Sequence, residues 1–168
     1  MAWRGRAGIG LALLAGGCGD DPANIPRQGK WQRETRLIAL VANDVWVDRK
    51  YAPFAIPEDG TEVEACAEPR LRSRDEVNRE LLGRVGKVCT IDALDHRDGK
   101  ITGSGTCGPT ETDGRTVTGT IEVDGVEKPD RLGGKISIAV QVREVSGRSD
   151  RVRMGLETVW TRLGDCGR

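Results

Sequence analysis

Aromatic side chains are scarce in this chain of 168 residues, which has four Trp, one Tyr and one Phe. Its core must therefore be built mostly from Val, Ile and Leu. There is a single histidine, His96, so a His-rich zinc site is excluded. A Ser–His–acid triad would have to pass through that one residue, and no nucleophile elbow lies near any serine. No C-x-x-C pair occurs, which argues against thiol–disulfide exchange. Net charge is absent as well, because 26 basic residues balance 26 acidic ones. Such a chain carries no overall electrostatic footprint for nucleic acid or for an acidic membrane surface. Long apolar runs are also missing. The stretch from Ala7 to Ala15 falls far short of the ~20 residues that a transmembrane helix needs.

What is present begins with Cys18. Arg4 and Arg6 precede the apolar stretch, Gly16 and Gly17 follow it, and Cys18 comes next. A positive start, an apolar run and small residues make a secretory signal. A cysteine directly after the small residues resembles a bacterial lipobox, with Ala15 where Leu is commoner. Residues 1–17 then read as a lipoprotein signal peptide and Cys18 as the lipidated first residue. The alternative is an ordinary secreted protein in which Cys18 is incidental. Residues 18–29, with Pro22 and Pro26, read as a tether. Residues 30–168 read as one β-rich domain. The implied location is the periplasmic side of the bacterial envelope. By resemblance to enterobacterial sorting, Gly19 and not Asp after the cysteine leans toward the outer membrane.

Glycine is abundant, at 23 residues, which favours turns and strands over long helices. Trp31 to Ala42 reads as a first strand, with Thr35, Leu37, Ala39 and Val41 on one face and Ile38 and Leu40 blurring the alternation. Asp44 to Val47 reads as a short second strand and residues 51–65 as loop. Ser73 to Leu82 is the best helix, with Ser73 and Glu76 placed for a capping box and Gly83 as a stop. Period-two patterns follow over 87–94, 100–107, 115–123, 135–143 and 151–163. Asp124-Gly125 marks the end of one of them. Consecutive strands with short turns predict an antiparallel meander, mainly β with one short helix, its apolar side covered by the helix or by curling into a partial barrel.

Four cysteines remain after Cys18, and four allow three connectivities. A three-residue loop at Arg97-Asp98-Gly99 sets His96 opposite Lys100. Counting outward, Cys89 then faces Cys107. Directly opposed Cβ atoms lie roughly 4.5–5.5 Å apart, close to the roughly 3.5–4.5 Å a disulfide needs. Cys66 is left to pair with Cys166.

Gly103 to Gly108 matches G-x-G-x-x-G literally, but Pro109 and a polar loop follow it instead of a helix, so a dinucleotide site is not expected. His96 stands beside a predicted turn and reads as an exposed polar residue. Carboxylates are plentiful and scattered, with no pair favoured. Trp31, Trp46 and Trp160 read as core or sheet-edge packing, with an aromatic-lined ligand groove as the sharper alternative.

Gly29-Lys30-Trp31, Gly105-Thr106-Cys107 and Gly164-Asp165-Cys166 together resemble the family catalogued as domain of unknown function 3617, over roughly residues 28–166. The resemblance implies a small exported protein or lipoprotein and brings no catalytic residues with it. The reading is a non-enzymatic envelope lipoprotein, without cofactor, metal or nucleic acid, that binds an apolar ligand or an envelope partner. One alternative is an inhibitor-like interaction protein that plugs an enzyme cleft with the loop 108–114 or 124–134. The other is an unrecognised hydrolase using scattered carboxylates.

Overall fold

The computed structural model describes residues 25–82 and 88–166. It is mainly antiparallel β with one short helix, and the sheet does not close into a barrel. The strands are β1 (Gly29–Ala42), β2 (Val45–Trp46), β3 (Gly60–Ala67), β4 (Cys89–Arg97), β5 (Lys100–Thr112), β6 (Arg115–Lys128), β7 (Arg131–Glu144) and β8 (Ser149–Gly164). The helix α1 spans Arg74–Val77 and continues as a π-helical turn over Asn78–Leu82. Strands β4 to β8 form the expected meander. The chain's first strand then lies beside its last, and β2 and β3 share the far edge of β1.

Turn chemistry sets these hairpins. Asn43-Asp44, Asp98-Gly99 and Asp113-Gly114 are two-residue loops with positive φ at both positions. That conformation matches strand twist and favours Asn, Asp and Gly. The loop at Arg97-Asp98-Gly99 is therefore one residue shorter than expected, because Arg97 pairs with Lys100. A bulge between Ile91 and Ala93 shifts the register back by one, so that Cys89 faces Cys107 after all.

A second bulge explains the blurred pattern of β1. The register shifts between Leu37 and Ala39. Before it, Trp31, Arg33 and Thr35 face inward, and after it Leu40 does. The extra residue, Ile38, is left 38% exposed. Two expected boundaries are corrected. Residues 51–65 are not all loop, since β3 begins at Gly60. Asp124-Gly125 does not end a strand, since β6 runs on to Lys128 and turns at Pro129-Asp130. Loops 108–114 and 124–134 are accordingly the ends of long hairpins.

The inner face carries the core. Trp31, Ile101, Ile121 and Leu132 are fully buried there, and Trp160 is 1% exposed. Two connecting segments cover it, residues 47–56 with Val47, Phe54 and Ile56, and residues 69–77 with Leu71 and Val77. Burying Leu71 and Val77 contributes roughly 1.5–3 kcal/mol each, which holds the helix over the sheet. The capping box forms as expected. Ser73 Oγ accepts from Glu76 N at 3.2 Å, and Glu76 Oε2 accepts from Ser73 N at 3.0 Å. The helical segment also blunts the free edge of β4. Asn78 accepts from Ile91 N, and Arg74 donates to Asp92 O beside the bulge. Gly83, the expected stop, lies outside the described residues.

Candidate functional site

The four predicted disulfide cysteines have definite places. Cys18 lies outside the described residues. Cys89 and Cys107 are bridged across the β4–β5 hairpin with Cα atoms 3.9 Å apart. Cys66 and Cys166 are bridged at 4.9 Å, joining the end of β3 to the chain just past β8. The G-x-G-x-x-G run lies within β5, and its Gly105 meets the Thr90 backbone so closely that a Cβ would strike it. The glycine there serves strand packing.

His96 is not an exposed turn residue. Its side chain is 7% exposed, and Nε2 lies 2.9 Å from Glu127 Oε2. Glu127 is fully buried, and the same oxygen accepts from Arg72 Nε at 2.9 Å. Glu127 Oε1 accepts from Leu71 N at 3.3 Å, and Glu127 N donates to Gly99 O. One carboxylate thus joins β4, β6 and the segment leading into α1. The sequence reading missed it because it placed Glu127 in a loop. Continuing the alternation of Val117, Ile121 and Val123 past Gly125 puts Glu127 on the inner face, where an acid requires partners. A histidine–carboxylate pair can act as a general base when substrate reaches it. Here the pair is enclosed, and the surface grooves described below are lined by neither residue. The pair ties β4, β6 and the segment leading into α1 together.

The outer face is different. Trp46, expected to pack, is 70% exposed, and Val45 is 63% exposed. Trp46 borders an open groove lined by Ile38, Ala39, Val41, Ala139 and Gly155. Lys135, Glu122 and Arg153 give it a charged rim. A second open groove continues from it over Thr118, Thr120 and Gln141 to Arg151. Asp44, in the left-handed turn beside Trp46, holds Arg153 at 2.6 Å and Arg151 at 3.6 Å. The groove owes its depth to small side chains on β1, β7 and β8. Its apolar wall comes from the bulge that turns Ile38 outward.

Asp59 supports that bulge from the loop before β3. Its carboxylate accepts from Leu37 N at 2.7 Å and pairs with Arg49 at 2.5 Å. The backbone hydrogen bond from Leu37, and then Arg49, hold its carboxyl below the usual range. Among the described residues, no group of three His, Cys, Asp or Glu side chains is placed to hold a metal, and no helix is long and apolar enough to cross a membrane. No family model, curated protein or solved structure matches the chain.

Proposed function

We propose that this protein is a lipid-anchored, non-enzymatic binding module of the bacterial envelope, held at Cys18, which docks a protein partner on its outer sheet face at Trp46. The observation that carries the reading is the contrast between the two faces. The inner face is largely covered by the protein's own side chains, with a groove left beneath Val47 and Ala52, whereas Trp46 stands in solvent beside an open groove. A small-molecule site buries most of its ligand in a concave pocket, and the open groove favours a protein surface over a small apolar molecule. Exposed Trp is also the residue type most enriched at binding hot spots. A partner that inserts an apolar anchor between Trp46 and Ile38 would find small residues beneath it and charges at the rim.

The test is affinity capture of the lipidated protein from envelope membranes, run beside Trp46→Ala, with mass spectrometry of proteins and extracted lipids. A protein held by the native chain and lost with Trp46→Ala is expected. Identical captures from both, or a lipid enriched without any protein, would sink the reading. The anchor is tested separately, because Cys18→Ser should move the protein from the membrane pellet to the soluble fraction.

A further inference from the structure

The neutral charge of the chain conceals an asymmetry between the two ends of the sheet. Ile25 to Gln28, expected to be tether, belongs to the folded domain. Arg27 N donates to Pro129 O in the β6–β7 turn, and Trp31 Nε1 donates to Arg27 O. The chain thus enters the fold beside Pro129-Asp130, and only residues 19–24 separate Cys18 from Ile25. At full extension the path from Cys18 to Ile25 spans at most about 25 Å. The 14 residues of β7 run about 48 Å. The end of the sheet where the chain enters is therefore kept near the anchoring bilayer, and the far end is not.

That near end is the basic one. Lys128 and Arg131 flank the Pro129-Asp130 turn and pair with each other in register. Lys100 lies two positions back, opposite Val126, and Lys30 opens β1 opposite Gly164. All four are exposed, and none forms an ion pair among the described residues. The neighbouring acids are engaged, Asp130 with Arg27, Asp95 with Arg97 and Asp165 with Arg162. Asp98 and Asp124 are the nearby carboxylates without an ion pair among the described residues. The strands from β5 to β1 are neighbours at ~4.8 Å spacing, so the four cations lie along a row about 19 Å wide. At the far end Asp44 holds Arg151 and Arg153, Asp150 holds Arg148 and Glu144 faces Arg115, while Lys50 and Arg143 share that end with Glu111 and Asp113, all four without ion pairs among the described residues.

We propose that this row is an electrostatic dock for the anionic phospholipid surface that carries the anchor. It rests on the lipid-anchor reading above. Docking fixes the sheet upright, with the Trp46 groove, near the opposite end of β1, turned toward the periplasm. A cation near an anionic bilayer strengthens partition about fivefold, and the effect fades within a Debye length.

The experiment uses the mature chain from residue 18 with Cys18→Ser, partitioned onto sedimented vesicles at low salt. Vesicles of phosphatidylglycerol with phosphatidylethanolamine are compared with phosphatidylcholine. Binding to the anionic vesicles alone is expected. Lys128→Ala with Arg131→Ala should lower it about 25-fold. Lys50→Ala with Arg143→Ala, the same charge change at the far end, should lower it less than about twofold. Circular dichroism checks that both pairs fold. No binding, equal binding to both vesicle types, or equal losses from the two pairs would overturn the dock. Because the measurement does not use lipidation, its failure leaves the anchor standing. Failed release of Cys18→Ser from the membrane pellet at high salt, where the dock is screened, would remove the anchor without touching the vesicle result.

Discussion

The two ends of the sheet are held together by different means. At the end where the chain enters, Glu127 is fully buried and joins segments 31 and 55 residues away in sequence. The Cys66–Cys166 bridge there closes a separation of 100 residues. At the far end the ion pairs sit at the surface. Asp44 is 67% exposed against arginines at 65% and 80%, and Arg148 with Asp150 is a local pair. Buried charge tolerates no loss of a partner, whereas exposed charge is screened by water. The enclosed end should be rigid and intolerant of change, and the far end, which carries the Trp46 groove, should accept substitution.

The largest expected effect is the loss of the Cys66–Cys166 bridge. In the chain-entropy model a loop of this length is worth up to about 4.7 kcal/mol, and the 18-residue separation of Cys89 and Cys107 about 3. Urea unfolding of Cys66→Ser with Cys166→Ser, beside Cys89→Ser with Cys107→Ser, should preserve that order. A larger loss from the hairpin bridge would mean that the far half of the sheet limits stability, and would reverse the comparison.

Next comes Glu127→Ala, which strips a carboxylate from Arg72 and His96 and should cost about 3 kcal/mol. The low end of that range applies because Arg72 is 27% exposed and water can reach it. Asp44→Asn is the matched change at the far end. It keeps a residue suited to the left-handed turn and removes a charge that faces two arginines, at under about 1 kcal/mol. Equal losses from the two substitutions would abolish the distinction between the ends.

Most of this architecture was legible because period-two alternation is a direct imprint of a sheet with one buried face. Ile136, Ile138, Val140 and Val142 on β7, and Val152, Met154, Leu156 and Trp160 on β8, are buried as their spacing predicts. What escaped the pattern was local irregularity. The bulge at Ile38 inverts the faces of β1 midway, so a single alternation could not fit it. The bulge near Asp92 offset the misjudged loop at Gly99, and Cys89 met Cys107 through two compensating one-residue shifts. Asp124-Gly125 looked like a turn because composition alone does not register that Val126 and Glu127 continue the ladder. That misplacement hid Glu127, and with it the burial of His96. The Trp46 groove was legible only as the alternative to packing, and grouped with Trp31 and Trp160, because it depends on which face a two-residue strand presents.

The smallest effect concerns acid, and it tests the boundary between the two halves. Asp59 occupies the place beyond the last β3 pairing, Thr35 with Gly60, where its carboxylate takes the Leu37 amide in lieu of a strand. Its carboxyl is held below the usual range by that amide and by Arg49. A depressed folded value means that the stabilisation is complete above the unfolded value of about 3.9 and is lost as pH falls through the folded one. Because Asp59 is 56% exposed, the whole contribution should stay below about 1 kcal/mol. Global stability will hardly register it, whereas the exchange rate of the Leu37 amide will. That amide should lose protection on acidification in the native chain. In Asp59→Asn, whose side-chain oxygen can still accept but cannot titrate, the pH dependence of the protection factor should vanish. If the protection factor of Leu37 is constant across that range in the native chain, Asp59 does not hold the bulge. The exposure of Ile38 would then have to come from the strand's own twist.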